Sequence, residues 1–336
     1  KLEFVGMPEE NPVPEENYFR RYYLPKDWKQ KREAEKRKQK IDQFYFDPEL
    51  QEIRATEWRK RLCGHWFYNY NPFTKEVELI YITGQHYLYV NYWKFQGKYM
   101  DFRITDRDVW YVRAYCDTDP NCLGLNFLTR RRLGKSSMAG AWAYERTSRR
   151  PTNQHCGIQS KDDDGAEELF KKAIVQPWQK LPDFFRPIYD TMKGDDPSEL
   201  RFFHPSRRGA TTEEERENED ALESWIDYGP ASESYYDGTE LLTYVSDEAG
   251  KVEKKISISE RQNIVRYCSE NEGKIRGKQW YTSTVEVDET TADEHEFQEL
   301  VHSSNPLNRN ENGRTSTGLY TYFLPAHHAY QFDNIY

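Results

Sequence analysis

The sequence predicts a three-layer α/β domain, in which helices cover both faces of a mainly parallel sheet. The main observation is the order of segments within residues 124–160: GLNFLT predicts a strand, SSMAGAWAYE a helix rich in alanine, and HCGIQS a second strand. A strand, a helix and a strand in this order form the crossover unit from which parallel sheets are built. Further strands are predicted by ELLTYVSDE, KQWYTSTVE and TGLYTYFL, and a helix by SERQNIVRYCSENEG. The sheet is therefore expected to continue through the second half of the chain.

The composition of the 336-residue chain is that of a folded protein with an aromatic core. Hydrophobic residues make up 36% of the chain and aromatic residues 15%, so Tyr, Phe and Trp are expected to supply much of the buried area. The net charge of -9 argues against a uniformly basic surface, so contact with nucleic acid would require a local patch. The five cysteines show no C-x-x-C spacing, which favours reduced thiols over a disulfide framework or a zinc site. No signal peptide and no apolar run of about 18 residues is present, so we expect a protein that works inside a cell and not in a membrane.

Residues 1–65 are expected to form an N-terminal arm followed by a basic helix. The first 25 residues are rich in Pro, Glu and aromatics, which favours an extended arm. The following segment KDWKQKREAEKRKQKIDQF consists of helix-forming residues, with a dense basic run from Lys29 to Lys40 and no broad apolar stripe. Two interpretations of this helix stay open. Its charges either face solvent or form a surface that docks DNA or a protein partner.

The stretch from Trp66 to Phe102 is dominated by aromatic and β-branched residues. It is interrupted by the turn signals NPFT, TG and QG, and it therefore predicts strands or hairpins. A polar stretch at residues 195–223 predicts a surface insertion. The segment from Thr211 to Asp220 has no apolar residue with which to pack, so it is expected to be mobile.

The segment TRRRLGKSS, at residues 129–137, carries the first chemical motif. It matches the phosphate-binding pattern G-x-x-x-x-G-K-[ST], except that Thr129 stands at the first glycine. In such a loop the backbone N–H groups at a helix N-terminus surround phosphate oxygens, a lysine contacts the terminal phosphates, and a hydroxyl binds Mg²⁺. Lys135 and Ser136 are the candidates for these two roles. The predicted phosphate-binding residues are Thr129, Arg130, Arg131, Arg132, Leu133, Gly134, Lys135, Ser136 and Ser137.

The adjacent acids Asp247 and Glu248 end the predicted strand LLTYVS and form the second motif. An aspartate in this position helps to hold Mg²⁺, and a glutamate orients or deprotonates the water that attacks the phosphate. A kinase transfers phosphate to a group other than water and can work without the second acid. The pair therefore favours an enzyme that hydrolyses ATP.

Together these motifs resemble the large terminase subunit of tailed double-stranded DNA phages, the ATP-driven motor that packages DNA. The phosphate loop of that family often lacks the first glycine and carries an early arginine, in a form such as S-R-x-L-G-K-[ST]. TRRRLGKSS is similar to it, with Arg130 at the arginine position. LPDFFRP at residues 181–187 resembles the family's L-P-x-F stretch, TYVSDEAGK resembles its Walker B segment, and YTSTVE at 281–286 resembles its coupling motif. The resemblance covers about residues 100–336.

The resemblance implies a RecA-like ATPase fold that hydrolyses ATP with Mg²⁺ to drive viral DNA into a procapsid. It implies that Ser136 and Asp247 hold the metal and that Glu248 activates water. Arg130 would stabilise the charge of the transition state in cis, a role for which Arg131 and Arg132 compete. The residues that would couple nucleotide state to movement are Thr282, Ser283 and Thr284. In this family the adenine-binding element commonly pairs an aromatic residue with a Gln, and FRITDRDVW occupies the corresponding place with Phe102 and Arg103 but without the Gln.

The partners that the resemblance implies are double-stranded viral DNA, the portal protein, the small terminase subunit and further copies of the chain in a ring. The expected location is the host cytoplasm, with transient docking on the procapsid portal, and not the mature virion or a membrane. The family's C-terminal nuclease domain would follow Tyr336, so no nuclease activity is expected from this chain. Two alternatives remain: a helicase-like nucleic-acid translocase, and a non-enzymatic interaction protein with a coincidental loop motif.

The predicted domain organisation follows from these assignments. Residues 1–65 form the arm and the basic helix, and residues 66–336 form the ATPase domain. Within that domain, residues 66–101 are the aromatic lead-in and residues 102–336 the nucleotide-binding core.

Overall fold

The computed structural model describes residues 19–39, 45–71, 75–149, 152–189, 198–203, 221–253, 255–284 and 294–325. The chain divides into two compact units: one runs to Trp93 and includes Tyr99–Phe102, and the other comprises Lys94–Lys98 and the residues from Arg103 onward. The boundaries predicted after residues 65 and 101 stay predictions. The segment from Thr211 to Asp220 lies outside the described residues, as does most of the predicted arm.

The first unit contains three helices and an antiparallel hairpin. Its elements are α1 (Trp28–Gln39), α2 (Pro48–Cys63), β1 (His65–Asn71), β2 (Glu76–Ile82) and α3 (Gly84–Asn91). Helix α1 lies within the predicted basic segment, and the hairpin agrees with the strands predicted after Trp66. These elements confirm the helical and aromatic, β-rich extension that the sequence predicts.

Helix α3 is a correction, because its sequence GQHYLYVN was expected to form a strand or hairpin. The Thr83 hydroxyl caps the helix by accepting a hydrogen bond from the backbone N–H of His86 at 3.2 Å. The helix also packs closely on α2: a Cβ added to Gly84 would lie 1.9 Å from the backbone oxygen of Arg61. The N-cap and this close packing outweigh the strand preference of the aromatic and β-branched residues.

A buried carboxylate organises the aromatic core of the first unit. Glu57 accepts hydrogen bonds from the hydroxyls of Tyr87 and Tyr92 and pairs with the Lys60 ammonium at 2.9 Å. Burial, followed by the charge of Glu57, raises the pKa of both tyrosines well above the usual range. The tyrosine hydroxyls therefore remain neutral donors that satisfy the acid.

The remaining strands are β3 (Lys94–Phe95), β4 (Lys98–Tyr99), β5 (Gly124–Thr129), β6 (His155–Gln159), β7 (Glu199–Phe202), β8 (Ser224–Tyr228), β9 (Thr243–Ser246), β10 (Glu270–Asn271), β11 (Lys274–Ile275), β12 (Lys278–Thr284) and β13 (Leu319–Leu324). Seven of them form the central sheet of the second unit, in the order β13-β5-β12-β9-β6-β8-β7. Every neighbouring pair is parallel except β7 with β8.

The helices of the second unit are α4 (Ile104–Thr118), α5 (Lys135–Thr147), α6 (Asp163–Glu168), α7 (Gln176–Lys180), α8 (Ile258–Cys268) and α9 (Glu294–Ser303). A π-helical segment, Leu169–Val175, joins α6 to α7, and two 3₁₀ turns span Asp183–Phe185 and Ala249–Lys251. None of the described helices is long and apolar enough to cross a membrane.

Alternate residues of β12 show how helices cover both faces of the sheet. The Trp280 ring packs against Trp142 of α5, with ring centroids 5.5 Å apart, and against Trp110 of α4. The next residue, Tyr281, points to the other face and lies in the hydrophobic cluster that contains Val265 of α8 and Leu300 of α9. This arrangement confirms the predicted three-layer α/β class.

The strand order also brings the two chemical motifs to the same edge of the sheet. Strand β5 runs into the predicted phosphate loop, β9 runs into the acidic pair, and β12 lies between them and is parallel to both. A strand inserted between these two is typical of the RecA-like fold. In open parallel sheets the carboxyl ends of the strands form the edge at which ligands bind.

Candidate phosphate-binding site

The predicted phosphate loop connects the end of β5 to the first turn of α5. Gly134 occupies the N-cap position with a φ of 90°, a left-handed conformation that glycine adopts without steric cost. Its carbonyl accepts the first hydrogen bond of the helix, from the N–H of Met138 at 2.9 Å. The free N–H groups and the positive dipole end of this 13-residue helix therefore begin at Lys135 and Ser136.

Thr129, which stands where the common pattern has glycine, is the last residue of β5. Its side chain is buried, and its hydroxyl donates a hydrogen bond of 3.0 Å to the backbone oxygen of Leu324 on β13. The hydroxyl thus ties the strand before the loop to the edge of the sheet. The predicted contact of Thr129 with phosphate stays a prediction.

Asp247 lies at the centre of the candidate site and is held by two hydroxyls. Ser136 Oγ donates a hydrogen bond of 2.7 Å to Asp247 Oδ2, and the Thr282 hydroxyl donates to Asp247 Oδ1. The backbone of Asp247 is fixed as well, because its N–H donates to the Gln159 carbonyl at 3.0 Å. Three parallel strands therefore position this one acid, together with the start of α5.

Burial is the main influence on the Asp247 carboxyl. The residue is 7% exposed, and removal from water raises its pKa, which the hydrogen bonds from Thr282 and Ser136 partly oppose. Additional positive charge near this carboxylate would therefore be strongly stabilising.

Lys135 places a buried ammonium beside the two acids. Its side chain is 5% exposed, and Nζ donates a hydrogen bond of 3.2 Å to the backbone oxygen of Arg130 within the loop. Burial lowers its pKa, while the negative charges of Glu248 and Asp247 act in the opposite direction. Among the described residues, the Lys135 ammonium thus has one hydrogen-bond acceptor, a loop carbonyl, and it lies in the field of two carboxylates.

Glu248 makes contacts that differ from those of Asp247. Its backbone adopts a left-handed conformation with a φ of 51°, which is uncommon for a residue with a side chain. Its Oε2 pairs with Lys251 Nζ at 2.9 Å and lies 3.5 Å from the Thr284 hydroxyl. The two adjacent acids are consequently held by different partners and are suited to different roles.

The three predicted coupling residues each contact a different part of the acidic segment. Thr282 binds Asp247, Thr284 approaches Glu248, and Ser283 Oγ accepts a hydrogen bond of 3.2 Å from the backbone N–H of Gly250. A side chain at Gly250 would not fit, because its Cβ would lie 2.8 Å from Ser283 Oγ. The end of β12 is therefore joined to the segment 247–250 at three points.

The remaining loop residues differ in their burial. Arg130 is half-buried, whereas Arg131 and Arg132 are exposed, and Leu133 is buried. Ser137 is buried in α5, and its hydroxyl has no hydrogen-bond partner within the described ranges. The structure therefore brings together Lys135, Ser136, Asp247, Glu248 and the coupling residues, while the roles predicted for the three arginines stay predictions.

Arg103 supports the phosphate loop, a role that the sequence did not predict. Its guanidinium pairs with the buried carboxylate of Asp106 through Nε at 3.0 Å and Nη2 at 2.7 Å, and Nη2 also donates to the Leu133 carbonyl at 2.7 Å. The i,i+3 spacing to Asp106 was a visible signal, but the contact with Leu133 depends on the tertiary fold. Phe102, the other residue of the expected adenine-binding element, packs in the first unit against Phe67 and His86.

The oxygen atoms of Ser136 and Asp247 suit a magnesium ion. Mg²⁺ prefers hard oxygen ligands and in nucleotide sites takes few of them from the protein, the rest coming from water and phosphate. Within the described parts of the chain there is no cluster of three or more His, Cys, Asp and Glu residues that could hold a metal. One hydroxyl and one carboxylate at hydrogen-bonding distance therefore fit the donor set of a nucleotide-dependent site.

The chain was compared with known proteins. No protein-family model matches the sequence, and no curated protein matches it. Among solved structures, the chain is similar to the HK97 bacteriophage large terminase, with a TM-score of 0.47 and 10% sequence identity. The aligned region covers 70% of this chain and 42% of that terminase, so this chain spans less than half of its length. The function is therefore inferred from the site itself.

Proposed function

We propose that this chain hydrolyses ATP and is the motor domain of a large terminase subunit, which moves viral double-stranded DNA into a procapsid. The observation that carries the ATPase proposal is the chain of contacts from Ser136 to Asp247 to Thr282. It joins a helix N-terminus that is suited to phosphate, an acid that is suited to a metal, and the strand between the two motifs.

The residues of the site account for the binding of ATP. The N–H groups at the start of α5 bind phosphate oxygens, and the Lys135 ammonium exchanges its contact with the Arg130 carbonyl for the terminal phosphates. Ser136 and Asp247 would hold Mg²⁺, which when bound supplies positive charge to the phosphate oxygens. Thr129 and Ser137 complete the predicted loop.

Hydrolysis requires a base and stabilisation of charge. Glu248 orients the attacking water and accepts its proton while the bond from the γ-phosphorus to the bridging oxygen breaks, giving ADP and phosphate. Arg130 is proposed to neutralise the charge that develops on the phosphoryl oxygens, with Arg131 and Arg132 as the competing candidates. Thr282, Ser283 and Thr284 then carry the change at the acids into β12.

The terminase assignment is supported by the form of the loop and by the order of the motifs. TRRRLGKSS, LPDFFRP, TYVSDEAGK and YTSTVE resemble the corresponding terminase segments and occur in the same order. The proposed partners are double-stranded viral DNA, the portal, the small terminase subunit and copies of the chain in a ring. The protein would act in the host cytoplasm, docked transiently on the procapsid portal.

The test is to measure ATP hydrolysis by the purified chain with and without double-stranded DNA and portal-bearing procapsids. We expect Mg²⁺-dependent turnover that DNA and procapsids increase, together with a rise in melting temperature when Mg²⁺ and ATP are added. Unwinding of a duplex in place of its translocation would favour a helicase-like enzyme. If ATP is not hydrolysed and ATP with Mg²⁺ does not raise the melting temperature, the chain is instead an interaction protein that binds through its basic helix.

A further inference from the structure

Lys251, a lysine to which none of the sequence motifs gives a role, lies next to the proposed base Glu248. Lys251 ends the 3₁₀ turn that follows the acidic pair, and its backbone N–H donates a hydrogen bond of 2.8 Å to the Glu248 carbonyl. Its Nζ lies 2.9 Å from Glu248 Oε2. The side chains are only 19% and 24% exposed, so this ion pair is shielded from solvent more than an ordinary surface pair.

The ion pair engages one of the two carboxylate oxygens of the proposed base. Glu248 Oε2 accepts from the Lys251 ammonium and is approached by the Thr284 hydroxyl at 3.5 Å. A carboxylate oxygen that is engaged with an ammonium is poorly placed to accept a proton from water. Oε2 becomes available to the attacking water when Lys251 leaves it.

The charges around the site show what could draw Lys251 away. Lys251 pairs with Glu248, which follows directly after Asp247, and Asp247 accepts the hydrogen bond from Ser136, the residue next to Lys135. Two ammonium groups thus share a sheltered site with two carboxylates. A γ-phosphate at Lys135 would add negative charge beside both lysines, whereas ADP would not bring that charge to the same place.

We propose that Lys251 senses the γ-phosphate: it holds Glu248 when no triphosphate is bound, and it moves to the γ-phosphate when ATP binds, which frees Glu248 for the attacking water. This inference rests on the proposed function. The backbone of the turn is anchored through Gly250 to Ser283 and through Lys251 to the Glu248 carbonyl. The exchange consequently needs only a movement of the two side chains.

The test compares the affinity of a non-hydrolysable ATP analogue with that of ADP, both with Mg²⁺. Lys251→Met keeps most of the aliphatic stem and removes the charge. It should weaken binding of the triphosphate analogue on the order of tenfold or more, the usual effect of losing a charge-assisted contact, and leave ADP affinity within about twofold. Lys251→Gln serves as a second neutral variant, and Lys251→Arg should restore the preference for the triphosphate.

Lys255→Met is the matched control, because Lys255 belongs to the same segment but is 76% exposed and pairs with Glu253. It should leave both affinities unchanged. The role of Lys251 would be overturned if both neutral variants lost the same affinity for the two nucleotides, or if they lost affinity for neither. The proposed ATPase activity would stand in both cases. Failure of the wild-type chain to bind either nucleotide would overturn the proposed function, and this inference with it.

Discussion

The hydroxyl of Ser136 donates a hydrogen bond of 2.7 Å to the carboxylate of Asp247, although 111 positions separate the two residues in the chain. The first residue belongs to the start of α5 and the second to the end of β9, so their contact depends on the correct order of strands in the sheet. Changes at either residue should therefore affect one function, the metal-dependent binding of nucleotide.

Replacing Asp247 should weaken the binding of Mg²⁺ at the site. In Asp247→Asn the side chain keeps its shape but loses the charge, so we expect weaker Mg²⁺-dependent binding of ATP as well as slower turnover. The measurement is ATP affinity with Mg²⁺ and with a chelator. If the difference between the two conditions is as large in Asp247→Asn as in the wild type, Asp247 is not the metal ligand.

Glu248→Gln should show the opposite pattern. The variant retains ATP binding with Mg²⁺, but single-turnover hydrolysis should slow on the order of a hundredfold or more, because a general base is lost. The affinity measured for this variant is its own control for folding. Normal hydrolysis, or a selective loss of Mg²⁺-dependent binding in Glu248→Gln, would reverse the roles assigned to the two acids.

Lys135→Ala should abolish hydrolysis without unfolding the second unit. The substitution removes an ammonium whose charged form is disfavoured by burial and which donates to a loop carbonyl, so the unit should stay folded while a charge-assisted contact with phosphate is lost. Turnover and thermal unfolding should be measured together. Turnover near that of the wild type would contradict the assignment of the loop to phosphate binding.

Arg103→Ala should weaken nucleotide binding through the loop. The substitution removes the ion pair with the buried Asp106 and the bond to the Leu133 carbonyl, which should lower the free energy of unfolding by about 1 to 3 kcal/mol. Arg107→Ala is the matched control, because Arg107 pairs with Asp108, which is 44% exposed. If the two variants bind ATP equally well, Arg103 does not support the loop.

Thr282→Val should reduce the stimulation of ATP turnover by DNA, and its loss of stability alone should not account for this reduction. The change removes the hydroxyl that binds Asp247 and keeps the shape of the side chain. Thr321→Val is a suitable comparison, because it removes a half-buried hydroxyl that is bonded at 3.0 Å to the Val301 carbonyl and lies on another strand of the same sheet. Both variants should lose roughly 1 kcal/mol of stability, and Thr282→Val alone should reduce the stimulation of ATP turnover by DNA. Equal stimulation in the two variants would exclude a coupling role for Thr282.

The first unit should become less stable as the pH falls, because of His65. Burial, with a contribution from the charge of Lys60, lowers the pKa of His65 to about 4 from its usual 6.5. Between these values the unfolded chain binds a proton that the folded chain excludes, so stability is lost as the pH falls through this range. At about pH 4.5 the free energy of unfolding should be lower than at pH 7 by about 2 to 3 kcal/mol.

His65→Phe should remove this part of the pH dependence, as measured by urea unfolding at both pH values. The replacement ring can occupy the site beside Phe67 and Tyr87, which already contact the imidazole. Parallel stability curves for the wild type and the variant would show that His65 does not titrate in this way.

The sequence predicts the elements that carry the site because each combines a local pattern with a motif. The strand GLNFLT precedes Gly134 and Lys135, and the strand TYVS precedes Asp247 and Glu248, so their position at the edge of a parallel sheet follows from connectivity. Helix α3 was missed because its composition favours a strand, whereas Thr83 at the N-cap and the close approach at Gly84 stabilise a helix.

Contacts between distant residues are the part that the sequence does not determine. The bond from Arg103 to the Leu133 carbonyl spans 30 positions and depends on how α4 packs beside the loop. Lys251 differs, because it lies only three positions after Glu248 in SDEAGK and its spacing was visible. Its importance depends on the turn conformation and on the shielding of the pair, which only the folded chain provides.

The hydrogen bond from Thr129 to Leu324 has a consequence for how the protein is made. Strand β5 leaves the ribosome 195 residues before its neighbour in β13 is complete. During this interval one edge of β5 lacks its hydrogen-bonding partner, and such an edge can pair with another chain. Chaperone contact or crowding of nascent chains should therefore matter most in this interval, and a nascent chain acquires its full loop support only when Leu324 has emerged.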